Sequence, residues 1–363
     1  MHPERTENVE ALEAGSRRAS SAFSLVLAAL LCALTSGSSM PAFDGATQWI
    51  GTPPLSPAQL RGKIVLVDFW EYTCLNCLRT LPYLREWNKR YGSDGLVIVG
   101  VQTPEFSFSG EASQVSDAMK RLGIDWPVAL DDRRAIWNRY GINEWPTEML
   151  FDQQGRLVET QIGEGNYPQT ERNIQALIRV DRKGAALPQP MALLPEDSYD
   201  KPGAVCYPHT PEVLIENTPV ADAPRFGNPA EDIEYADRSA HKDGGVYLDG
   251  YWHATKEALV FGGGSGYFLM PYRAIEVTAV LTPGHGTTRA NILQDDKPLA
   301  RDDAGADVRY DSSGTSYVNV DTSRAYRIVM NKTYGAHELK LVPQGAGVAV
   351  YDVAFESCEI PSK

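Results

Sequence analysis

Two cysteines, Cys74 and Cys77, lie three positions apart where an apolar run gives way to a helical pattern. Two thiols at this spacing can close into a disulfide or open as a thiolate and a thiol, which is redox chemistry. The first turn of a helix carries unpaired N–H groups and a partial positive charge, so we expect the pKa of Cys74 to lie below its free value of roughly 8.5. Cys77 would lie one turn further along, shielded from substrate but able to attack a mixed disulfide on Cys74.

The elements around this pair alternate between strands and helices. Residues 63–70 form a continuous apolar run typical of a strand buried on both faces, and an apolar stripe at steps of three or four follows the cysteines. The same patterns predict strands at 96–101, 126–130, 147–152 and 157–162, and helices at 115–122, 133–140 and 174–178. Such alternation, ending in a hairpin, predicts a mostly parallel α/β sheet with helices on both faces.

Sites in such sheets form beyond the carboxyl ends of the parallel strands. That edge carries the dithiol and also the loop after the second strand, which makes Glu105 a candidate neighbour of the thiols in a client-binding site. An exposed loop acid is the alternative interpretation of Glu105. Pro146 follows Trp145 at the start of a hairpin strand, where a cis peptide bond is expected.

Several separated pieces of this region resemble the thioredoxin superfamily in order and spacing. They are Val67-Asp68-Phe69-Trp70, the Cys74-x-x-Cys77 pair, Pro82, Tyr140-Gly141-Ile142, Trp145-Pro146-Thr147, Leu150-Phe151 and Gly155. Within the superfamily, the residues from Tyr72 to Tyr83 and Thr103-Pro104-Glu105-Phe106 resemble the exported branch that includes TlpA and the soluble C-terminal part of DipZ proteins. In that part of DipZ proteins, a β-rich domain similar to carbohydrate-binding modules follows the thioredoxin-like domain.

The resemblance implies roles for the matching positions. Asp68 corresponds to the family's buried acid, which exchanges a proton with the second cysteine, and burial would raise its pKa towards neutrality. Pro146 corresponds to the cis-proline that faces the thiols, and the backbone of Trp145 would pair with an extended client segment. Trp70 and Thr147 are also expected to contribute to client binding.

The resemblance also implies partners. Clients would be proteins that carry disulfides. DipZ proteins contain a multi-helix membrane electron conduit, and no segment of this sequence fits one, so electrons would come from a separate membrane donor. Thr73 stands where many thioredoxins have Trp, and Leu75-Asn76 replaces the usual Gly-Pro, which leaves the direction of electron flow open. We favour reduction of disulfides over their introduction, by analogy with the TlpA branch.

Three other interpretations of the dithiol compete with this one. A zinc site would need four ligands, and residues 41–200 contain no histidine and no third cysteine, so neither a metal nor a cofactor is expected. A peroxidase of the peroxiredoxin type would need Thr or Ser three residues before its cysteine, where Glu71 precedes Cys74. An inert structural disulfide is the third, and the matches at Asp68 and Pro146 argue against it.

The chain of 363 residues exceeds what one hydrophobic core usually organises. Residues 1–40 contain a basic pair, a short apolar run and small polar residues, typical of a secretory signal peptide, and an uncleaved anchor is the alternative. Beyond them we predict a redox domain at 41–184, a proline-rich surface linker at 185–212, and a β-rich sandwich or jelly-roll domain at 213–363. The protein would therefore be periplasmic or secreted.

The β-rich domain carries two further predictions. Cys206 and Cys358 flank it, and four cysteines beyond the leading segment suit an active dithiol plus a structural disulfide, with two unrelated buried thiols as the alternative. Aromatic rings could form a glycan-binding face by stacking on sugars, although aromatics of a β-sandwich are more often core. The candidates are Tyr247, Tyr251, Trp252, Tyr267 and Tyr272.

The sequence as a whole predicts an extracytoplasmic thiol–disulfide oxidoreductase that acts on protein disulfides through Cys74 and Cys77. Its formal net charge of −13 argues against binding nucleic acid through a basic face. The alternative is a cell-envelope or carbohydrate-binding protein in which the β-rich domain does the work and the thioredoxin-like domain is a scaffold. A third interpretation joins the two, with the β-rich domain delivering the redox domain to envelope targets.

Overall fold

The strand that leads to the dithiol lies in the middle of a six-stranded sheet. The structure, a computed structural model, describes residues 39–194, 201–223, 228–284 and 286–359. All seven residues of the central strand are buried, as predicted for a strand covered on both faces. In chain order the strands are β1 (Gln48–Ile50), β2 (Ile64–Trp70), β3 (Leu96–Gln102), β4 (Val128–Leu130), β5 (Thr147–Phe151) and β6 (Leu157–Ile162).

The sheet is mixed and has the spatial order β1-β4-β3-β2-β5-β6. β2 pairs in parallel with β3, and β3 pairs in parallel with β4. The predicted hairpin of β5 and β6 adds to β2 in antiparallel fashion, and the edge strand β1, which the sequence did not predict, pairs antiparallel to β4. The carboxyl ends of β2 and β3 therefore meet at one edge of the sheet, where the dithiol lies.

Helices cover both faces of this sheet, which confirms the α/β architecture. They are α1 (Leu75–Tyr91), α2 (Ala112–Leu122), α3 (Ala135–Tyr140) and α4 (Tyr167–Asp181). Apolar residues of α1, α2 and α4 share one core with one face of the sheet, and α3 packs in a second core on the opposite face. The sheet is thus packed on both faces, and its buried strand β2 leads directly to the start of α1.

The segment after α4 lies along the surface of this first domain, as predicted for the linker. The backbone N–H of Met191 donates to Glu171, and the backbone N–H of Leu194 donates to the Tyr83 hydroxyl at 2.9 Å. Leu187 also packs against the core that contains α1. Residues 183–194 are therefore held against the redox domain.

The second domain is all-β, as predicted. Ten strands join in one sheet, with two further strands in a separate pair. The bounds are β7 (Val205–Cys206), β8 (Val213–Leu214), β9 (Ile233–Tyr235), β10 (Tyr247–Ala254), β11 (Leu259–Thr282), β12 (Thr288–Gln294), β13 (Lys297–Pro298), β14 (Arg309–Tyr310), β15 (Ser316–Val320), β16 (Arg324–Pro343), β17 (Ala349–Glu356) and β18 (Cys358–Glu359).

The large sheet closes on itself around its core. Val350 of β17 pairs with Leu259 at the start of β11 and with Leu281 near its end. A strand residue has one neighbour on each side, so β17 lies between the two ends of the 24-residue β11. The next longest strand is β16, which has 20 residues.

The aromatic residues proposed for a glycan-binding face do not form one. Tyr247, Trp252 and Tyr272 are buried in the β-rich domain, where sugars cannot reach them. Tyr251 is exposed, and the Tyr267 hydroxyl donates to Asp237 at 3.0 Å. The interpretation of these residues as core therefore holds for three of the five.

In the part of the chain that the structure describes, no helix has the length and apolar character needed to cross a membrane. The predicted signal peptide or anchor at 1–40 lies almost entirely outside the described residues.

Candidate functional site

The two cysteines occupy different environments at the start of α1. Cys74 is the N-cap residue, and its Sγ accepts the backbone N–H of Cys77 at 3.2 Å. Both are free thiols; Cys74 is half-buried, whereas Cys77 is fully buried. A client disulfide can therefore reach Cys74 directly, and Cys77 can react only with a sulfur already attached to Cys74.

Beneath the dithiol, two carboxyl groups lie side by side in the sheet. Asp68 of β2 is directly opposite Glu148 of β5, and both side chains are buried. Neither Asp68 carboxylate oxygen has a hydrogen-bond partner, and Glu148 Oε1 also lacks one. Burial raises the pKa of Asp68 to about 7, and burial together with the charge of Asp68 raises the pKa of Glu148 well above its usual value. This pair can hold and release a proton near neutral pH.

The predicted decrease in the pKa of Cys74 is wrong, because burial raises it. The N–H donated by Cys77 acts in the opposite direction, as expected at a helix N-terminus, but the negative charges of Glu105 and Glu71 add to the effect of burial. The pKa of Cys77 is also well above its usual value, mainly because of burial and then because of its interaction with Cys74.

Glu71 was not among the predicted site residues. It is fully buried between β2 and α1, where its carboxylate accepts the backbone N–H of Thr73 at 2.5 Å and the Thr73 hydroxyl. Burial nevertheless raises the pKa of Glu71. The sequence carried a signal for Glu71, because a carboxyl group directly follows the apolar strand β2 just before the cysteines. Glu148, within the apolar strand β5, carried a similar signal.

The hairpin that faces the thiols contains the predicted cis peptide bond between Trp145 and Pro146. The Trp145 ring packs against Trp137, with ring centroids 4.4 Å apart, and beneath the guanidinium of Arg134 at 4.9 Å. Trp145 thus has a fixed orientation beside Cys74.

Two residues predicted to bind the client have buried side chains. Trp70 is fully buried in the core that contains α1, because its side chain points from β2 towards the helices. Thr147 is also buried, and its hydroxyl donates to the backbone carbonyl of Glu144 at 2.8 Å. Neither side chain lines the space in front of Cys74.

The second domain forms the other wall of that space, which we call the redox cleft. It has a volume of about 250 Å³. The first domain lines it with Thr73, Cys74, Leu75, Asn76, Glu105 and Trp145, and the second domain with His209, Glu212, Asp352, Ala354, Phe355 and Glu356. Glu105 is therefore beside the thiols as predicted, and six residues of the β-rich domain also face the cleft.

Ionic contacts hold the two walls together. Arg79, two residues after Cys77, contacts Glu276 at 2.7 Å and Glu356 at 3.2 Å across the domain boundary. It also contacts Glu164 of the first domain at 3.2 Å. With a side chain only 10% exposed, Arg79 forms a largely desolvated contact between the dithiol helix and the β-rich domain.

Apolar and polar contacts extend this interface. Phe106 and Phe108, which follow Glu105, pack edge-on against Tyr351 of β17 with ring centroids 5.3 and 4.9 Å away. Between them along the chain, the hydroxyl of Ser107 donates to Glu257 at 2.6 Å. The loop after β3 therefore places Glu105 in the redox cleft, and the next three residues, 106–108, contact the second domain.

A disulfide links Cys206 and Cys358, which pair across β7 and β18. It ties the segment that enters the second domain to the strand that ends it. Because β18 follows β17 closely, the link lies near the part of the chain that lines the redox cleft. Its position matches the predicted pairing.

Both domains match known families. Residues 35–178 match the Redoxin family, and residues 220–355 match the family described as thioredoxin-like C-terminal domain. The DipZ proteins of Mycobacterium bovis and Mycobacterium tuberculosis are each 30% identical to this chain over 281 residues. The chain is therefore similar to the TlpA/DipZ-like branch of the thioredoxin superfamily. The match covers 73% of this chain but only 38% of the DipZ proteins, so this chain spans about two fifths of their length.

Other relatives of this TlpA/DipZ-like protein match the first domain. The thiol-disulfide oxidoreductase ResA of Bacillus anthracis is 32% identical over 112 residues, which is 31% of this chain and 62% of ResA. Among solved structures, a putative thiol:disulfide interchange protein DsbE from Chlorobium tepidum is 21% identical and covers 39% of this chain and 96% of its own, with a TM-score of 0.34.

Proposed function

We propose that this protein is a thiol–disulfide oxidoreductase that reduces disulfides of client proteins through Cys74 and Cys77. The observation that carries the proposal is the division of labour between the two thiols. Cys74 lies at the helix start in the redox cleft, and Cys77 is buried behind it together with Asp68. The relatives named DipZ and ResA support the same chemistry.

The proposed reaction has two exchange steps. The Cys74 thiolate attacks one client sulfur, so that a bond forms to Cys74 Sγ, the client disulfide breaks, and the first client thiolate takes a proton from solvent. Cys77 then gives its proton to the Asp68 carboxylate and attacks Cys74 Sγ, which releases the second client sulfur as a thiolate that is protonated in turn. Two electrons pass from the dithiol to the client, and the protein retains a disulfide between Cys74 and Cys77.

Asp68 suits the second step because its pKa of about 7 lets it change protonation state near neutral pH. Below that pH the carboxyl is already protonated and cannot accept the Cys77 proton. Above it, the carboxylate is present and the second step becomes faster. The pKa of Glu148, beside it in the sheet, is also raised well above its usual value by burial and by the charge of Asp68.

The raised pKa of Cys74 supports reduction rather than oxidation. A strongly oxidising dithiol is one whose reduced form is stabilised, as a low-pKa thiolate stabilises it. Burial and the charges of Glu105 and Glu71 work against that stabilisation here. Equilibration of the dithiol with glutathione and dithiothreitol, in a Cys206→Ser/Cys358→Ser background, should give a potential near roughly −270 mV; a value near roughly −120 mV would indicate an oxidant instead.

The compartment and the electron source are part of the same proposal. The signal-like residues 1–40 and the disulfide between Cys206 and Cys358 support action outside the cytoplasm, where disulfides persist. There the oxidised protein needs a dithiol donor, and we assign this role to a separate membrane protein. Cleavage or retention of residues 1–40 can be read from the N-terminal sequence of the protein recovered from the cell envelope.

Insulin reduction tests the function directly. With dithiothreitol as reductant, the protein should accelerate precipitation of the insulin B chain, and Cys74→Ser should abolish the acceleration. Cys77→Ser is the matched variant, because it retains the attacking thiol but lacks the resolving one. In the absence of dithiothreitol, this variant should accumulate a mixed disulfide with the client. Dithiothreitol added afterwards should release the client. Full activity in Cys74→Ser would contradict the proposal.

A further inference from the structure

The redox cleft is rich in carboxyl groups. Glu105 comes from the first domain, and Glu212, Asp352 and Glu356 come from the second. Of the described residues that line the cleft, none is lysine or arginine. Arg79 contacts Glu356, but it is also engaged by two other carboxylates and lies outside the cleft lining. The space in front of the nucleophile is therefore acidic on both sides.

Asp352 carries a buried carboxylate oxygen that has no hydrogen-bond partner among the described residues. Its side chain belongs to β17 and is 95% buried, since only 5% of the residue is exposed. This oxygen is Oδ1, and burying a polar atom without a hydrogen-bond partner destabilises the folded state. Glu212 shares a hydrogen bond with the Asp352 carboxyl, and the charges of Glu212 and Glu105 oppose its ionisation. A donor group, preferably a cation, would satisfy this carboxyl.

Asp352 and Glu105 in the cleft hold their protons to a higher pH than isolated carboxyl groups do. Burial is the main reason that the pKa of Asp352 is raised well above its usual value, and the charges of Glu212 and Glu105 add to it. Burial, followed by the charges of Glu71 and Glu212, raises the pKa of Glu105 to about 8. A lysine or arginine side chain in the cleft would favour the ionised carboxylates. A client carboxylate would instead add one more negative charge to the group.

Resting on the proposed function, we propose that the β-rich domain selects the client: the redox cleft favours disulfides whose cysteine lies next to lysine or arginine in an extended segment. Asp352 and Glu212 are the specificity-determining residues. The cysteine would meet Cys74, and the adjacent cationic side chain would lie against the two acids. At roughly 30 Å³ per water, a volume of about 250 Å³ holds about eight waters, which is room for more than one side chain.

Three matched peptides test the preference. Each carries one disulfide in the same unstructured sequence, with lysine, alanine or glutamate beside both cysteines, and the readout is kcat/KM for reduction by the full chain. We expect the lysine peptide to exceed the glutamate peptide by about tenfold or more, with alanine between them. Added NaCl should reduce the ratio, because it screens the charges.

The variants assign the preference to the second domain. In Asp352→Asn/Glu212→Gln, which preserves the shapes of both side chains, the lysine-to-glutamate ratio should fall towards one. Asp302→Asn is the matched control, since Asp302 is an acid of the same domain that pairs with Lys332 and does not line the cleft. It should retain the wild-type ratio. If the double variant does not fold, Asp352→Asn alone should still lower the ratio severalfold.

The outcomes separate this inference from the function on which it rests. Equal kcat/KM values for the three peptides, or an unchanged ratio in the double variant, would overturn the client preference and leave the reductase intact. Failure of the wild-type protein to reduce any of the three peptides would overturn the proposed function itself.

Discussion

Two groups of buried acids flank the start of α1, and they differ in their partners. Beneath the dithiol, Asp68 and Glu148 face each other without a cation, and three of their carboxylate oxygens lack any hydrogen bond. At the domain boundary, Glu276 and Glu356 contact Arg79, and Glu276 also accepts from Arg327 at 2.8 Å. The same functional group is unpaired in one place and neutralised in the other.

The difference shows how one residue type serves chemistry and architecture in the same protein. An unpaired buried carboxyl has a raised pKa, so it can exchange a proton near pH 7, and the folded state bears the cost. A carboxylate beside arginine keeps its charge and gives up proton exchange, but it can hold two domains in register. Breaking each arrangement should therefore change different properties.

The largest expected effect is a gain in stability from Asp68→Asn. The folded-state pKa of about 7 lies above the usual 3.8, so the wild-type carboxyl lowers the free energy of unfolding as pH rises from about 4 to about 7. At pH 8 the full shift corresponds to about 4 kcal/mol, and the asparagine variant should regain that amount. Urea titrations at pH 4 and pH 8 measure the difference, which should vanish at the lower pH.

The same variant should resolve mixed disulfides slowly, since Cys77 loses its proton acceptor. A loss of about 100-fold in the rate of the second exchange step is expected. Stopped-flow measurement of client release from the mixed disulfide on Cys74 provides the rate. An Asp68→Asn protein with unchanged stability at pH 8 and an unchanged release rate would show that this acid has no part in the reaction.

Arg79→Ala should have the next largest effect. It leaves Glu356 without its cation and removes a contact between α1 and the second domain, at a cost of about 3 kcal/mol in the free energy of unfolding. Small-angle scattering should also detect separation of the domains. Lys89→Ala is the control, because Lys89 is on the same helix with an 80% exposed side chain and should change stability by less than about 0.5 kcal/mol. Equal behaviour of the two variants would argue against the ionic attachment.

The smallest expected effect is on the pKa values of Asp68 and Glu148, which influence each other's titration. Part of the raised pKa of Glu148 comes from the charge of Asp68, so Asp68→Asn should lower the Glu148 pKa while burial keeps it above its usual value. Carbon-13 NMR of labelled glutamate side chains follows this titration. In Glu148→Gln, the Asp68 pKa should stay near 7, because burial alone raises it. Independent titration of the two acids would contradict the pairing.

The first domain was largely predictable because its signals are local. The apolar run of β2, the cysteine spacing and the Trp145-Pro146 dipeptide each lie within a few residues, and the structure brings them together at one sheet edge. The position of Glu105 followed from strand order alone. The pKa of Cys74 was predicted in the wrong direction because the helix N-terminus is a local feature, whereas the burial that outweighs it arises only in the folded protein.

The second wall of the redox cleft was not predictable because it depends on contacts between distant parts of the chain. Nothing around Asp352 marks it as a neighbour of Cys74, and Arg79 resembles an ordinary surface residue of an amphipathic helix. Aromatic composition was equally ambiguous, since Trp252 would be as suitable for a glycan-binding face as for the core in which it lies. Only three-dimensional packing distinguishes these cases.

The position of β17 in the chain has a consequence for the order of biosynthesis. All helices and strands of the first domain end by Asp181, whereas β17 begins only at Ala349. Because domains generally fold as units, N-terminal first, the redox domain can complete its fold while the rest of the chain is still being made. During that interval the newly made dithiol lacks the residues of β17 that line the redox cleft, including Asp352 and Glu356.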